Sequence, residues 1–379
     1  MSNYKNKVNK IRSFAIVAFI SVYLFSSCGL PENVLYAPDN DLIRYTGRID
    51  FSEPFAPVLI GSASYAEMNF KGDSCQLQFR KLNPEGEHNY ISVEIDGEDL
   101  GRFKIENSMM ESITIHAKKQ SESHNIKIFK ATEASNNYIA FGGIYCLQLL
   151  PLNDSPSRKI EFIGNSITCG MGNDLTDIPC DAGLWYDQHN AYWAYGPIAA
   201  RELNSQYLLS SVSGIGVYRN WNSLKPVMPD VYENMYLNTD DSKHWDFSSY
   251  VPDLVSICLG TNDMSLGDGV KERLPFDSAI YVREYISFVE TIYNKYPETQ
   301  VCLLTSPMVK GEGGQLLKRC LQSIQDIINE EFQDRKPLAV FEFPEGIEPH
   351  GCGYHPDIND HKQMAEAVLP FYRELMAWE

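Results

Sequence analysis

Lys159-Ile-Glu-Phe-Ile-Gly-Asn-Ser-Ile-Thr-Cys-Gly170 is the stretch on which the fold turns. Its first six residues read as a β-strand, followed by Asn165-Ser166-Ile167-Thr168. Four more apolar strands come after it: Tyr207–Val212, Leu254–Leu259, Val301–Thr305 and Leu338–Phe343. Between and after them lie Ala191–Leu203, Ala279–Tyr296, Gln315–Phe332 and Ile358–Leu375, each with apolar residues at i, i+3 and i+4. That spacing marks one face of a helix. Strands alternating with helices predict βαβ units and a parallel sheet covered on both faces.

Working outward toward the amino terminus, Pro151 to Arg158 is a polar, Pro- and Ser-rich linker. Residues 36–150 obey a different pattern, with short alternating segments such as Cys75–Phe79, Tyr90–Ile95, Ser112–His116 and Asn125–Phe129. Turn clusters separate them, among them Asn83-Pro-Glu-Gly86 and Asp96-Gly97. This predicts an all-β sandwich of the jelly-roll kind. The expected organisation is therefore a β-sandwich over 36–150, a linker over 151–158 and an α/β domain over 159–379. A chain of 379 residues is comfortable for two domains.

The first 27 residues carry Lys5, Lys7, Lys10 and Arg12 and no acid, then an apolar run from Phe14 to Phe25 and Ser26-Ser27-Cys28. This has the layout of a secretory signal peptide. The run is too short to span a bilayer comfortably. Ser-Ser-Cys after it resembles a bacterial lipobox, which implies acylation of Cys28, membrane attachment through that lipid and a tether over 28–35. The expected location is exported and membrane-anchored, facing the periplasm or the cell surface. Of the other eight cysteines none forms a CxxC pair, which argues against zinc-ribbon and redox motifs. Cys258 and Cys302 lie in apolar strands and read as buried thiols. Cys169 and Cys180 flank one loop and are candidates for a bridge. Net charge is −18, which argues against nucleic acid and anionic polymers as partners and leaves neutral carbohydrate or a small ester.

In open parallel sheets, ligands bind beyond the carboxyl ends of the strands. Those ends carry Ser166 after the first strand, Ser213-Gly214-Ile215-Gly216 after the second, Gly260-Thr261-Asn262-Asp263 after the third and Gly351-Cys352-Gly353-Tyr354-His355-Pro356 after the fifth. Each has a bland reading: Ser166 and Asn262 as helix caps, Gly214 as a turn residue, His355 as a surface histidine. Together they supply a nucleophile, oxyanion donors and a base, the parts of acyl transfer. GxSxG is absent around Ser166, and Ser213 lacks its first glycine. Trp185, Tyr186, Tyr218 and Trp221 are loop aromatics able to stack on sugar rings, and Asp187, His189 and Asp263 are polar candidates for sugar hydroxyls. His350, His355 and His361 lack metal-ligand spacing and supporting carboxylates, so no metal or other cofactor is expected.

These four segments resemble the blocks of SGNH hydrolases, with Asn165 where that superfamily usually has Asp. The finer likeness is to carbohydrate esterase family 2. It rests on Ile160–Gly170, on Asn190-Ala-Tyr with Ala199-Ala-Arg-Glu-Leu203, and on Gly351-Cys352 before His355-Pro356. The resemblance implies a flavodoxin-like three-layer hydrolase domain behind a jelly roll. It also implies a serine esterase removing acetyl groups from hemicellulose-type polysaccharide or oligosaccharide. Ser166 would be the nucleophile and His355 the base, with Ser166 N–H, Gly214 N–H and the Asn262 amide as the oxyanion hole. Between Cys352 and Tyr354 there is no carboxylate where such enzymes commonly carry Asp, and the nearest are Glu345, Glu348, Asp357 and Asp360. The expected arrangement is a dyad whose imidazole is held by a main-chain carbonyl. Competing readings are a lipase or thioesterase of the same fold and a non-catalytic glycan-binding lipoprotein.

Overall fold

The structure, a computed structural model, describes residues 32–82 and 88–379. The expected leader, Cys28 and the Asn83–Gly86 turn lie outside them. Twelve antiparallel strands come first: β1 (Val34–Tyr36), β2 (Arg44–Thr46), β3 (Ile49–Asp50), β4 (Val58–Leu59), β5 (Tyr65–Lys71), β6 (Ser74–Lys81), β7 (Asn89–Ile95), β8 (Glu98–Ile105), β9 (Glu111–His116), β10 (Ser123–Lys130), β11 (Ile139–Cys146) and β12 (Gln148–Leu150). One sheet has the order β3-β4-β11-β6-β9 with β1 on β11, and the other β12-β5-β10-β7-β8 with β2 on β5. Val34 and Leu35, assigned above to the tether, pair instead with Cys146 and Tyr145. Alternate residues turn inward, and Met68, Phe70, Ile91, Val93 and Ile126 of one sheet meet Leu77, Phe79, Phe141 and Ile144 of the other in one core. That alternation is what a sandwich requires of its inner faces.

The parallel part follows with β13 (Arg158–Gly164), β14 (Ser205–Ser211), β15 (Leu254–Cys258), β16 (Gln300–Leu304) and β17 (Ala339–Phe341). Their order is β14-β13-β15-β16-β17, all parallel. In chain order this is 2-1-3-4-5, the flavodoxin-like winding, whose switch point lies beside the first strand. The helices are α1 (Ser166–Cys169), α2 (Tyr195–Glu202), α3 (Met228–Val231), α4 (Thr261–Met264), α5 (Ser278–Lys295), α6 (Gly311–Glu331) and α7 (Ile358–Met376). Leu254 and Cys258 of β15 pack with α2 and α7 on one face, while Val255 and Ile257 pack with α5 and α6 on the other. Both faces of the strand are therefore dry, and its sequence is continuously apolar for that reason.

The helix expected over 191–203 breaks at Ala194, whose φ −70° and ψ 153° are extended. Proline lacks the N–H that a helix interior needs, so α2 starts at Tyr195 and leaves Pro197 in its first turn. The Tyr195 N–H is accepted by His361 Nδ1 at 3.2 Å.

The antiparallel part is joined to the parallel sheet by a buried polar contact at Arg48. Its guanidinium donates to Ser210 Oγ of β14 at 3.1 Å and to the carbonyls of Tyr232 and Asn234 at 2.9 and 2.8 Å. Ser210 Oγ and Tyr232 Oη in turn donate to Glu161 at 2.6 and 3.0 Å. Burial pushes Arg48 down and Glu161 up from their ordinary pKa values, and the nearby opposite charge opposes both shifts. Removing one member of such a buried network leaves the other uncompensated. Arg48→Met should therefore lower the free energy of unfolding by about 3–5 kcal/mol. Urea denaturation measures it, and an unchanged midpoint would contradict the role given to Arg48.

Candidate active site

Asn165 sets the geometry of the first strand end. Its Oδ1 accepts the Ile167 N–H at 3.1 Å, capping α1, and Gly170 closes the turn in the left-handed region. Asn165 is wholly buried. An amide makes this cap without burying a charge. Ser166 is thereby the first residue of a helix, 5% exposed, at the carboxyl end of β13.

His355 reaches it from the other end of the chain. Its Nε2 lies 2.7 Å from Ser166 Oγ, and its Nδ1 lies 2.8 Å from the carbonyl oxygen of Gly353. A carbonyl only accepts, so Nδ1 carries the proton and Nε2 offers its lone pair to the serine hydroxyl. Gly353 has φ +62°, in the left-handed region, and this turns its carbonyl back onto the ring two residues later. The Cys352 N–H donates to Gly172 O at 2.9 Å, and a Cys180–Cys352 disulfide ties the same turn to the loop after α1. The bridge considered between Cys169 and Cys180 does not form. Cys169 is a buried free thiol on α1, and Cys258 and Cys302 are free and buried as expected.

Gly214 and Asn262 stand at the neighbouring strand ends. Gly214 has φ +76°, and a Cβ there would lie 2.8 Å from Trp221 Cδ1, so both backbone and space call for glycine. The Asn262 Nδ2 donates to Ile215 O at 2.8 Å, which orients the amide and leaves it a second N–H. Arg273 donates to Asn262 O at 2.7 Å and to Ser265 O at 2.5 Å, bracing α4 from behind. Ser166, Gly214, Asn262 and His355 line one cavity of about 650 Å³ with Trp185, Trp221, Met171, Met308 and Tyr354. Sequence reasoning missed the last three, since nothing in their spacing marks them.

Other expectations come out differently. Asp263 is wholly buried, and its carboxylate accepts the N–H groups of Val217 and Tyr218 at 2.9 Å. Burial raises its pKa to about 6 against these bonds. Its carboxylate staples the backbone of 217–219, just beyond Gly214. Tyr218 is packed on Phe276 and Tyr281 and lines a different cavity. Tyr186, Asp187 and His189 are buried as well, with Asp187 bonded to Tyr90 Oη at 3.1 Å. Of the aromatic candidates, Trp185 and Trp221 remain, 50% and 42% exposed. The four carboxylates near His355 are used elsewhere or stand off it. Asp357 caps α7 in a capping box with Asp360, Asp360 takes His350 Nδ1 at 2.9 Å, and Glu348 pairs with Lys310 at 2.5 Å. Glu345 lines a separate cavity. His350 does have carboxylates beside it, contrary to the sequence reading: it groups with Asp357 and Asp360, where Asp360 Oδ2 and Asp357 Oδ1 accept backbone N–H groups and Asp360 Oδ1 takes the His350 ring.

A serine hydroxyl bonded to an imidazole at the switch point of a 2-1-3-4-5 sheet is the arrangement of an α/β serine hydrolase. The family models and relatives are more specific. Residues 45–156 match the model described as carbohydrate esterase 2 N-terminal, and 162–337 match the GDSL-like lipase/acylhydrolase family. A cellulase/esterase, CelE, of Acetivibrio thermocellus is 31% identical over 347 residues. That match takes in 90% of this chain but spans only 40% of the relative's length. An acetylxylan esterase/glucomannan deacetylase of Cellvibrio japonicus is 27% identical, covering 96% of this chain and 99% of its own. The solved structure of a family two carbohydrate esterase from Clostridium thermocellum in complex with cellohexaose superposes with a TM-score of 0.78. It is 29% identical and covers 89% of this chain and 100% of that one. The amino-terminal match and these relatives are all to carbohydrate esterases, and the superposed structure is one of family two.

Burial lowers the His355 pKa below its ordinary value, and the Gly353 bond resists only in part. A base must be neutral to accept a proton. The acid limb of kcat/KM for an acetyl ester should therefore fall below about 6.5, the ordinary histidine value. A pH–rate profile checks it, and a midpoint clearly above that value would contradict the burial argument.

Proposed function

We propose that this chain is a serine carboxylic ester hydrolase that removes O-acetyl groups from hemicellulose-type carbohydrate: xylan, glucomannan or their oligosaccharides. The observation that carries the reading is the 2.7 Å bond from Ser166 Oγ to an imidazole whose tautomer a backbone carbonyl fixes. Ser166 Oγ attacks the acetyl carbonyl carbon while His355 Nε2 takes the hydroxyl proton. The carbonyl oxygen becomes an oxyanion facing the Ser166 and Gly214 N–H groups and the second N–H of Asn262. Collapse expels the sugar oxygen, which receives the proton from His355, and leaves acetyl on Ser166. Water then repeats the sequence, His355 taking its proton, and acetate departs. No metal or cofactor enters these steps. The names of the relatives support the substrate class, and Trp185 and Trp221 at the mouth of the cavity supply faces for sugar rings.

Ser166→Ala should remove turnover while the thermal unfolding midpoint stays near that of the parent. The parent should release acetate from acetylated xylan or glucomannan and cleave p-nitrophenyl acetate far faster than the octanoate. Faster octanoate cleavage would point to a lipase or thioesterase, and no cleavage of either to a glycan-binding protein.

We also propose export with a lipid on Cys28, supported by the basic, apolar, Ser-Ser-Cys order of the amino terminus. The Cys180–Cys352 disulfide fits an oxidising compartment outside the cytosol. Cys28→Ser should move the protein from the membrane to the soluble fraction of a native-like host. A variant that stays with the membrane would sink the lipobox reading.

A further inference from the structure

Glu133 lies in the antiparallel part, three residues beyond β10, and is wholly buried. Its Oε2 accepts the N–H of Ser213 at 2.6 Å and lies 3.3 Å from the Cys169 thiol. Its Oε1 faces Nε2 of His189 at 3.5 Å, an electrostatic contact too long for a good hydrogen bond. His189 is also wholly buried. Its Nδ1 accepts the Gly172 N–H at 3.3 Å, so its own proton sits on Nε2 and points toward Glu133. From Gly172 the connection continues: its carbonyl takes the Cys352 N–H at 2.9 Å, and the Cys352 carbonyl takes the His355 N–H at 3.2 Å. One carboxylate thus touches the residue before Gly214 directly and reaches the turn that carries His355 through a second side chain.

We infer that Glu133 is a positioning residue of the ester-hydrolysis site, holding the Ser213–Gly214 backbone itself and the His355 turn through His189. The inference rests on the roles proposed above for Ser166 and His355 and deepens them. It gives the antiparallel part a place in the chemistry, since His355 lacks a carboxylate partner of its own. Burial alone would neutralise Glu133, but His189 and the Ser213 bonds hold its pKa below the ordinary carboxylate value, so the charge persists. Burial pushes His189 down, which keeps it the neutral link that the geometry requires. The other charged or titratable groups around this pair are Lys130, Cys169, Arg102 and Tyr186, whose ring centroid lies 6.5 Å from that of His189. Lys130 donates to the Glu133 carbonyl at 2.6 Å, and Arg102 donates to the His189 carbonyl at 3.0 Å. Among these, the Glu133 charge favours protonated His355.

The test compares Glu133→Gln, Glu133→Ala and His189→Asn with the parent on p-nitrophenyl acetate. A misplacement of about 1 Å costs about 10²-fold in rate, so Glu133→Ala should lower kcat by about that factor with KM within about twofold. Glu133→Gln should lose less, because its amide oxygen still accepts the Ser213 N–H. Both should move the acid limb of the pH profile to lower pH, since the charge that favours the imidazolium is gone. A defect in packing alone would lower the folded fraction and leave that limb in place. If the Glu133 variants do not fold, His189→Asn carries the test, with kcat lowered through the misplaced His355 turn and KM within about twofold of the parent. Folded variants with kcat within about twofold of the parent and an unmoved limb would overturn the inference. Parent-like turnover in Ser166→Ala would instead overturn the reading beneath it, so the two failures are told apart.

Discussion

An imidazole that is to serve as a base must be held in one tautomer, and a main-chain carbonyl is placed to hold that of His355. The Gly353 oxygen lies 2.8 Å from His355 Nδ1, and that bond leaves Nε2 facing Ser166. Much of the surrounding architecture serves to keep this carbonyl in place. Gly353 must adopt a left-handed φ, the disulfide anchors the residue before it, and Gly172 receives the Cys352 amide. A carboxylate at this position would hold the ring and stabilise its positive form together. A carbonyl holds it equally well in direction but brings only a dipole. The charge balance of the site then depends on what is buried farther out, which gives a buried glutamate from another part of the fold something to do.

The antiparallel part is accordingly more than an appendage. Arg48 enters the end of the parallel sheet, and Tyr65 and Phe129 share a core with β13 and α2. The Asn190 amide oxygen takes the Ser92 hydroxyl of β7 at 2.8 Å. Loops that shape the cavity, including the one with Trp185, are therefore laid against β-strands as well as against the hydrolase sheet. Binding loops placed on two rigid supports keep their geometry with less loss of freedom on binding.

The layering was legible in sequence because burial on both faces leaves continuous apolar strands, and burial on one face leaves alternation. The gathering of Ser166, Gly214, Asn262 and His355 at one cavity was legible because a parallel sheet brings its strand ends to one edge, four places that can be read in order. Glu133 was not, and His189 was read only as a candidate for sugar hydroxyls. Each stands next to residues typical of a loop, and their burial arises only when distant strands close over them. Asp263 misled for the same reason: an acid in a strand-end motif reads as exposed until the loop 217–219 is seen to bond its carboxylate. The partner of Cys180 was illegible because it lies 172 residues away, and no spacing rule reaches that far.

The account stands on Ser166 being the atom acylated and on His355 activating it. Labelling with a p-nitrophenyl phosphonate ester tests both at once, with the site located by tandem mass spectrometry. The account predicts one phosphonyl group per chain, on Ser166, and little or none on the same timescale in His355→Ala. A label on Ser213 or elsewhere, or an undiminished label on Ser166 without the imidazole, would contradict it.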